Sequence, residues 1–442
     1  MAKVLERVQK IGKTLWEHKK KTAFAGFLVY LGADYARRWH LNQKIRTVYA
    51  AEAIKFGQMP ISPEEKPRRV LVLANVTANG RHCYDDFVKN ALPLLHLAGL
   101  QVDIVKAESE TQLEALASAM DKNDADAVYV VGGDGTIDRV VTGICKNRDK
   151  SLPIGVFPGG YDNLTLKRLV PHVFESTSDV RRYCESAMAL IEEQKRKIAA
   201  FEFSVTDEPE SLHYGIGDVG AGWYRKIEDR RQKLWYFGAL KRRWAYIWEM
   251  IKSSPEIIEA DVVYTEACAG CNTCRSATPT QPVVVWRWWH VLTGTPRYKQ
   301  IGEKTKDYSN IVNENCGQAH EVQVRGTDLL IENEQTEEES SRLRLRVGGK
   351  PSRFNTISEG MARCSENKVG SSTNPNFYST DVLANSVTVK FNKMPDSINS
   401  LHVSSDERKF EGLTEKPVKM QTTRKLLEFY LPNKLRYDLI NL

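Results

Sequence analysis

The nine residues Val128-Tyr129-Val130-Val131-Gly132-Gly133-Asp134-Gly135-Thr136 are the most informative stretch of this 442-residue chain. The apolar run before the glycines predicts a buried strand, and residues 137–144 after them have the spacing of a helix. Glycines let a backbone approach a phosphate closely, and the first amides of a helix point toward its negative charge. A plain β-turn is the alternative, but a strand, a glycine turn and a helix in this order favour a nucleotide-binding loop.

The alternation of strand and helix continues on both sides of this loop. Further strands are predicted at residues 70–74, 102–105 and 154–157, and helices at 84–98, 111–120 and 180–194. Strands that alternate with helices form parallel sheets covered by helices, with ligands at the carboxyl ends of the strands. The pattern predicts an α/β nucleotide-binding domain over residues 68–197.

The pattern changes after Lys197. Short strand-like runs separated by polar loops predict a second, mostly antiparallel domain over residues 198–442. These runs lie at residues 201–205, 261–264, 321–324, 343–347, 386–390 and 425–430. One helix is predicted at residues 234–251. The stretch 332–341 contains five Glu and predicts a solvated loop.

Composition limits the classes of protein. With 41% hydrophobic and 27% charged residues, the chain is not wholly disordered, collagenous or a polytopic membrane protein. Its net charge is +7, and the first fifty residues alone carry eleven Lys and Arg against three acids. The whole excess of positive charge therefore lies at the N-terminus, which argues against a nucleic-acid partner.

The basic N-terminal segment, residues 1–60, has the features of a targeting or anchoring segment. Three lysines, Lys19 to Lys21, precede an apolar run at residues 22–33, and Arg37 and Arg38 follow it. Twelve residues are too few for a full span, which needs about 20. A start that is basic and poor in acids favours mitochondrial targeting or attachment to an anionic membrane over a cleaved signal peptide. A helix that packs on the protein itself is the alternative.

Three of the eight cysteines form the run Cys268-x-x-Cys271-x-x-Cys274. Thiolates at this spacing can bind one Zn²⁺, which then needs a fourth ligand. The sequence offers His290, Cys316 and His320. Unbound or disulfide-paired loop cysteines are the alternative.

The glycine loop resembles that of the diacylglycerol kinase catalytic-domain family, which includes the sphingosine kinases and uses Gly-Gly-Asp-Gly-Thr. More closely, the chain looks like the mitochondrial acylglycerol kinases, from about Arg69 to Arg436. Four stretches carry the resemblance, at residues 89–99, 132–143, 235–241 and 424–429. The basic N-terminus with its short apolar run is also similar. The resemblance implies that the second domain is a β-sandwich.

The resemblance also implies an ATP- and Mg²⁺-dependent transfer of phosphate to a monoacylglycerol or diacylglycerol, giving lysophosphatidic or phosphatidic acid. Asp134 would accept the proton of the lipid hydroxyl or orient it. The nucleotide and its Mg²⁺ would be held by Asn75, Thr77, Gly132, Gly133, Gly135, Thr136, Gly160, Asn163, Asp406 and Glu407. The implied location is the mitochondrial inner membrane, facing the intermembrane space.

Several positions depart from the family pattern. The usual Asn-Pro is Asn75-Val76, and Pro-Leu-Gly-Thr-Gly-Asn is replaced by residues 158–163, which keep Pro158, Gly160 and Asn163. Arg139 stands where the family has Glu, with Asp138 one residue earlier, and Asp406-Glu407-Arg408 replaces Asp-Gly-Glu. Fewer acids around the metal permit a second hypothesis. In it the chain is a catalytically weak, kinase-fold subunit of the inner-membrane carrier translocase.

Two other motifs have alternative interpretations. Residues 215–220 match Gly-x-Gly-x-x-Gly, but a dinucleotide site needs a βαβ unit, and a helix rich in Trp and Arg follows instead. NAD kinases share Gly-Gly-Asp-Gly, but the Thr-Pro-Thr-Gly-Ser segment that they carry is not found here.

The second domain offers an approach for the lipid. The aromatic residues of the helix at 234–251 interleave with basic residues that could attract anionic head groups. These basic residues are Arg230, Arg231, Lys233, Lys241, Arg242 and Arg243, and Arg287 lies among Trp286, Trp288 and Trp289. The helix could instead bury its aromatic residues in the core.

Overall fold

The computed structural model describes residues 18–60, 66–121, 123–146, 152–175, 178–206, 212–252, 254–268, 270–273, 310–336, 341–349, 352–365, 374–395, 398, 400–403, 408–411, 413 and 416–435.

A parallel sheet forms the first part of the molecule. Its strands are β1 (Arg69–Asn75), β2 (Gln101–Ala107), β3 (Ala127–Gly132) and β4 (Ile154–Pro158). They lie in the order β4-β3-β1-β2, with Val70 beside both Val102 and Ala127, and Val128 beside Ile154. The three central strands, β1, β3 and β4, are apolar and almost wholly buried, as expected where helices cover both faces of a sheet.

Helices cover both faces of this sheet. They are α1 (Lys19–Gly57), α2 (His82–Asn90), α3 (Leu92–Leu97), α4 (Glu110–Ala119), α5 (Asp134–Lys146), α6 (Leu164–Leu169), α7 (Pro171–Phe174) and α8 (Asp179–Ile191). On one face α4, α5 and α7 pack on side chains such as Val130 and Val156. On the other, α1, α2, α3 and α8 pack on side chains such as Tyr129 and Phe157. The parallel sheet is therefore the middle of three layers.

Helix α1 has two unlike halves. Toward its C-terminal end Ile45, Tyr49 and Ala53, spaced by one helical turn, are buried against the first part of the molecule. Toward its N-terminal end Phe24 and Val29 are 63% and 71% exposed. Among the described residues, no helix combines the length and the apolar character needed to cross a membrane.

Antiparallel strands dominate the second part. They are β5 (Lys195–Val205), β6 (His213–Gly215), β7 (Asp218–Gly222), β8 (Ile258–Glu266), β9 (Ala319–Gly326), β10 (Asp328–Gln335), β11 (Ser341–Gly348), β12 (Tyr378–Lys393), β13 (Ser400–Val403), β14 (Arg408–Glu411) and β15 (Val418–Tyr430). Strands from β5 to β15 contribute to one apolar core, so the sheet curls around it.

Three helices lie in this second part. They are α9 (Trp223–Lys233), α10 (Lys241–Lys252) and α11 (Arg353–Ser365). They meet in a small aromatic cluster around Trp223, Tyr224 and Tyr246. Strand β7 leads directly into α9, which places this cluster beside the sheet.

Strand β15 joins the two parts. It runs antiparallel to β5 over its length, and its last residues, Phe429 and Tyr430, pair in parallel with Ile154 and Gly155 of β4. The chain therefore returns at its end to the parallel sheet.

The predicted fold class, a parallel α/β unit followed by mostly antiparallel strands, is confirmed. Three local predictions are wrong. The helix predicted at 84–98 is two helices, α2 and α3, with Pro93 in the first turn of α3. The helix predicted at 234–251 is a 3₁₀ segment, Trp235–Leu240, followed by α10. The loop predicted at 332–341 begins inside β10, where Glu332 is buried.

Candidate functional site

Three neighbouring parallel strands end side by side at one edge of the sheet. Strand β1 ends at Asn75, β3 at Gly132 and β4 at Pro158. Parallel strands place their carboxyl ends at the same edge, so the loops that follow them meet there. This brings together the predicted residues Asn75, Thr77, Gly160 and Asn163 and the glycine loop, residues 132–136.

The glycine loop packs backbone against backbone with the loop after β4. A Cβ atom on Gly132 would lie 2.5 Å from the side chain of Thr136, and one on Gly160 would lie 2.5 Å from the Cα of Gly133. The amide of Gly159 donates to the carbonyl of Gly132 at 3.1 Å. These positions have no room for a side chain, which explains the glycines and leaves a surface made of backbone.

Asn75 connects the first loop to the glycine loop. Its Nδ2 donates to Thr136 Oγ1 at 3.0 Å, and its Oδ1 accepts from the amide and the hydroxyl of Thr77 at 3.0 and 2.7 Å. These hydrogen bonds hold the two loops in register. Asn75, Thr77 and Thr136 therefore form one network.

Asn163 plays a similar part in the loop after β4. It adopts a left-handed conformation with φ of 50°. Its Oδ1 accepts from the amide of Gly160 at 3.0 Å, and its Nδ2 donates to the carbonyls of Pro158 and Gly160. Asparagine tolerates this backbone conformation better than most residues, and its side chain closes the turn.

Asp134 is the first residue of α5 and is 7% exposed. Its Oδ2 accepts from the amide of Leu164 at 2.8 Å and its Oδ1 from the amide of Thr165 at 2.9 Å. Burial raises the pKa of this carboxyl, and the amide bonds only partly offset that effect. The carboxylate is therefore held in a fixed orientation between two helix N-termini, those of α5 and α6.

Asp138 lies one helical turn beyond Asp134 on the same face of α5. It is buried, and its Oδ1 accepts from the amide of Ile216 at 3.2 Å. Arg139 points away from that face and pairs with Glu110 and Glu114 of α4 at 3.3 and 3.1 Å. The arginine at the family's glutamate position is therefore neutralised by α4, and an acid still faces the second part of the molecule.

Sequence reasoning missed two basic residues at this site. Lys167 and Arg168 lie on α6, directly after the loop that ends at Asn163. The pKa of Lys167 is lowered, mainly by burial, and the negative charges of Asp162 and Asp134 oppose this effect. Two consecutive basic residues just after the motif at residues 158–163 were the feature of the sequence that could have indicated them.

A second ion-pair group ties the loop after β4 to the helices α9 and α10. Asp162 accepts from Arg231 at 2.9 Å and from Arg242 at 2.8 Å. Burial opposes ionisation of Asp162, but the two guanidinium groups outweigh it and lower the pKa. The ammonium of Lys241 lies 4.0 Å from the centre of the Tyr161 ring. Arg231 and Arg242, predicted to attract head groups, therefore serve the loop instead.

Several predicted residues lie elsewhere. Residues 215–220 run from β6 into β7, within antiparallel strands, so they do not have the βαβ context of a dinucleotide loop. Cys268, Cys271 and Cys316 lie together at one end of β8 and β9. Asp406, Glu407, Cys274 and the tryptophans at 286, 288 and 289 lie outside the described residues.

Comparisons with known proteins bear on this geometry. Residues 69–202 match the family described as the diacylglycerol kinase catalytic domain. An uncharacterized protein of Caenorhabditis elegans is 53% identical over 99% of this chain and 100% of its own length. The mitochondrial acylglycerol kinases of Xenopus laevis and Homo sapiens are each 29% identical, over 59% and 62% of this chain.

The match spans 60% and 64% of those two acylglycerol kinases, which is less than two thirds of their lengths. Among solved structures, a diacylglycerol kinase of Bacillus anthracis is 12% identical, with a TM-score of 0.47 over 84% of this chain and 99% of that chain.

Proposed function

Because the chain belongs to the diacylglycerol kinase catalytic-domain family, we propose that it transfers the γ-phosphate of ATP to the hydroxyl of a monoacylglycerol or diacylglycerol. The product would be lysophosphatidic or phosphatidic acid. The observation that carries the proposal is the meeting of the glycine loop, Asn75 and Asn163 around the fixed carboxylate of Asp134. The finer points, ATP as donor and an acylglycerol as acceptor, rest on the relatives named above.

The described residues fit a nucleotide phosphate. The close approach of the two loops leaves no room for a side chain at Gly132 or Gly160, and the N-terminus of α5 adds the positive end of a 13-residue helix. Lys167 supplies a cation on α6. Phosphoryl transfer depends mainly on positioning and on neutralising charge, which are the contributions that such groups make.

The donor set also fits Mg²⁺, which prefers oxygen ligands. Asp134 and Asp138 offer carboxylates one turn apart on α5, and Asn75 and Thr136 line the same edge of the sheet. When bound, the ion would neutralise charge on the transferring phosphoryl group. Asp406 and Glu407 remain predicted contributors from the sequence.

Asp134 is proposed to take the proton of the lipid hydroxyl. The amides of Leu164 and Thr165 orient the carboxylate, and the Thr165 side chain also hydrogen-bonds to it. A carboxylate held in one orientation is suited to act as a general base. Its burial raises its pKa, which brings the base nearer to the operating pH than an ordinary aspartate.

The second hypothesis, a catalytically weak translocase subunit, rested on a shortage of acids around the metal. Glu110 and Glu114 neutralise Arg139, so this arginine adds no uncompensated positive charge to α5, and this favours the enzyme. We further propose attachment to the mitochondrial inner membrane on its intermembrane-space side. The mitochondrial relatives and the exposed apolar residues of α1 support this location.

The test is transfer of label from γ-labelled ATP to acylglycerols in mixed micelles. The wild-type chain should label the lipid, and Asp134→Asn should lower kcat by about 100-fold or more while ATP binding changes little. Asp103→Asn, an exposed aspartate on β2, is the matched control and should keep full activity. Circular dichroism checks that each variant is folded.

Two results would overturn the proposal. A folded wild-type chain that binds ATP but labels no acylglycerol would remove the activity. An Asp134→Asn variant as active as Asp103→Asn would remove Asp134 from the chemistry and leave it only the bonds to Leu164 and Thr165.

A further inference from the structure

We propose that Cys268, Cys271 and Cys316 bind one Zn²⁺ ion, which fastens the base of a long excursion of the chain between β8 and β9. The sulfur atoms of the three residues all lie within 4.8 Å of one another. Cys316 was one of three candidate partners in the sequence, and among the described residues it lies with Cys268 and Cys271, whereas His290 lies outside them. His320, another candidate, instead lies against Tyr264 and Glu266.

The spacing of the thiols suits tetrahedral zinc. Zn–S bonds of about 2.3 Å place the ligand sulfurs about 3.8 Å apart. Side-chain rotations that bring each sulfur inward by about 0.6 Å or less would therefore complete the coordination by these three groups. Three thiolates are soft ligands that favour zinc over Mg²⁺ or Ca²⁺, and a water or another donor can occupy the fourth position.

The backbone around the thiols is arranged to bring two distant segments together. Strands β8 and β9 pair as far as Thr265 and Ala319, and the cysteines lie just beyond that last pair. The amide of Asn272 donates to the carbonyl of Ile311 at 3.0 Å. Gly270 and Gly317 adopt φ of 133° and 83°, which allow the sharp turns beside Cys271 and Cys316.

A neighbouring amide supports a charged sulfur. Asn313 Nδ2 donates to the sulfur of Cys268 at 3.4 Å. Hydrogen bonds from outer groups to a ligand atom orient the ligand and stabilise its charged form. The amide belongs to the same turn as Cys316, so one loop supplies both a ligand and a group that positions another ligand.

Apolar packing does not explain why these thiols converge. Cys83, Cys145 and Cys184 are buried within the apolar cores of the parallel part. Cys271 is also fully buried, but none of the apolar clusters formed by the described residues includes it. Its neighbours in sequence, Asn272 and Thr273, are polar. An odd number of thiols also suits one metal ion better than a disulfide, which would use only two.

A zinc ion at this position would join the two ends of the segment that connects β8 to β9. Cys271 and Cys316 are separated by 44 residues, and closing a loop of that length costs conformational entropy. A zinc ion held from both ends would supply that closure, because the free energy of metal binding is coupled to folding.

The test is metal analysis of the full chain, purified under reducing conditions and incubated with Zn²⁺ before removal of the excess. We expect about one zinc per chain in the wild type and a loss of more than tenfold in Cys316→Ser. Cys364→Ser, a half-buried thiol on α11, is the matched control and should retain the metal. Substitution by Co²⁺ should give the intense visible bands of tetrahedral thiolate coordination in wild type and Cys364→Ser only.

The wild-type measurement stands even if Cys316→Ser fails to fold. Zinc below about one equivalent in ten chains would overturn the proposal, as would a disulfide joining two of the three thiols in protein that has never bound zinc. Zinc retained in a folded Cys316→Ser variant would overturn the assignment of Cys316. Lipid kinase activity enters none of these readouts, so this result is independent of the proposed function.

Discussion

Asp218 is a buried carboxylate shared by two guanidinium groups. Its Oδ2 accepts from Arg168 of α6 at 3.2 Å and from Arg225 of α9. Burial alone would raise its pKa, but the two arginines outweigh burial and lower the pKa to about 2. The carboxylate therefore joins α6, the helix after the β4 loop, to the antiparallel part.

We expect Asp218→Asn to lower the free energy of unfolding by about 3 kcal/mol at pH 7, because it removes the buried carboxylate that the two guanidinium groups share and leaves Arg168 paired with Glu332. The folded pKa lies below the unfolded value of about 3.9. The stabilisation is therefore complete above about pH 4 and disappears as the pH falls toward 2. Urea unfolding of wild type and variant across this range measures the difference.

Asp381→Asn is the matched control. Asp381 also pairs with an arginine, Arg344, at 2.7 Å, but its side chain is 39% exposed. A surface pair of this kind contributes about 1 kcal/mol or less. Equal losses in the two variants, or a loss at Asp218 that does not shrink in acid, would contradict the account given for Asp218.

Glu332 shows why a polar sequence can wrongly predict a solvated loop. Glu332 lies in a run rich in Glu, which predicts a solvated loop, yet it is buried in β10. Its carboxylate meets Arg168 at 3.1 Å and also pairs with Arg346. A charged residue can occupy a buried strand when its partner comes from a distant part of the chain, and no local pattern shows that partner.

At the scale of elements, α10 separates its aromatic residues between two environments. Tyr246 is buried and donates to Glu228 at 2.9 Å. Trp244 and Trp248 are 38% and 49% exposed, and Leu240 just before the helix is also exposed. The sequence left both a lipid-facing and a core-facing helix open, and the structure shows one buried face and one exposed face.

Arg242 joins α10 to the loop after β4 by binding Asp162, and Trp244 and Trp248 lie on the opposite, exposed side of the same helix. We expect the double variant Trp244→Ser, Trp248→Ser to bind anionic lipid vesicles at least about tenfold more weakly. Each substitution removes an indole whose apolar surface the lipid interface would bury. Co-sedimentation with vesicles that contain phosphatidylserine measures this. Unfolding in urea should change little.

Leu383→Ser with Val322→Ser is the comparison variant. These residues are 40% and 37% exposed on β12 and β9, away from α10. Vesicle binding that falls equally in both double variants would indicate general loss of apolar surface and would remove α10 from the lipid contact.

At the scale of the molecule, the alternation of strands and helices was predictable from the sequence, and the contacts between distant segments were not. The apolar runs around Val72, Val130 and Val156 and the glycine loop indicated the parallel sheet and the edge at which the site lies. Nothing local indicated that Phe429 would pair with β4, or that Tyr49 of α1 would donate to Glu185 at 2.6 Å in the core. These contacts depend on packing between segments far apart in sequence.

The residues of the candidate site also divide into those that the sequence indicated and those that it did not. The glycine loop was predictable because it follows a recognisable strand, whereas Asn75 and Asn163 were expected only from the resemblance to the family's motifs. The ion pair of Arg168 with Asp218 was not predictable, because it joins α6 to β7, two elements far apart in the sequence. Charged groups at the boundary between two folded parts carry no periodic pattern, and this is why their pairing escaped prediction.

Strand β15 leads to a prediction about cooperativity. Met420 lies in the core of the antiparallel part and Phe429 in the core of the parallel part, and both belong to this one strand. Strands β15 and β5 pair from Val418 to Tyr430 through both cores. The two parts therefore share a hydrogen-bonded ladder, and we expect one calorimetric unfolding transition.

Both Met420→Ala and Phe429→Ala should lower the free energy of unfolding by about 2 to 5 kcal/mol, because each removes buried side-chain volume. Each should shift the single transition as a whole, since neither part can keep its half of the ladder when the other unfolds. Lys419→Ala, an exposed position on the same strand, should leave the transition almost unchanged. Two resolved transitions, one sensitive to Met420 and the other to Phe429, would show that the shared ladder does not couple the two cores.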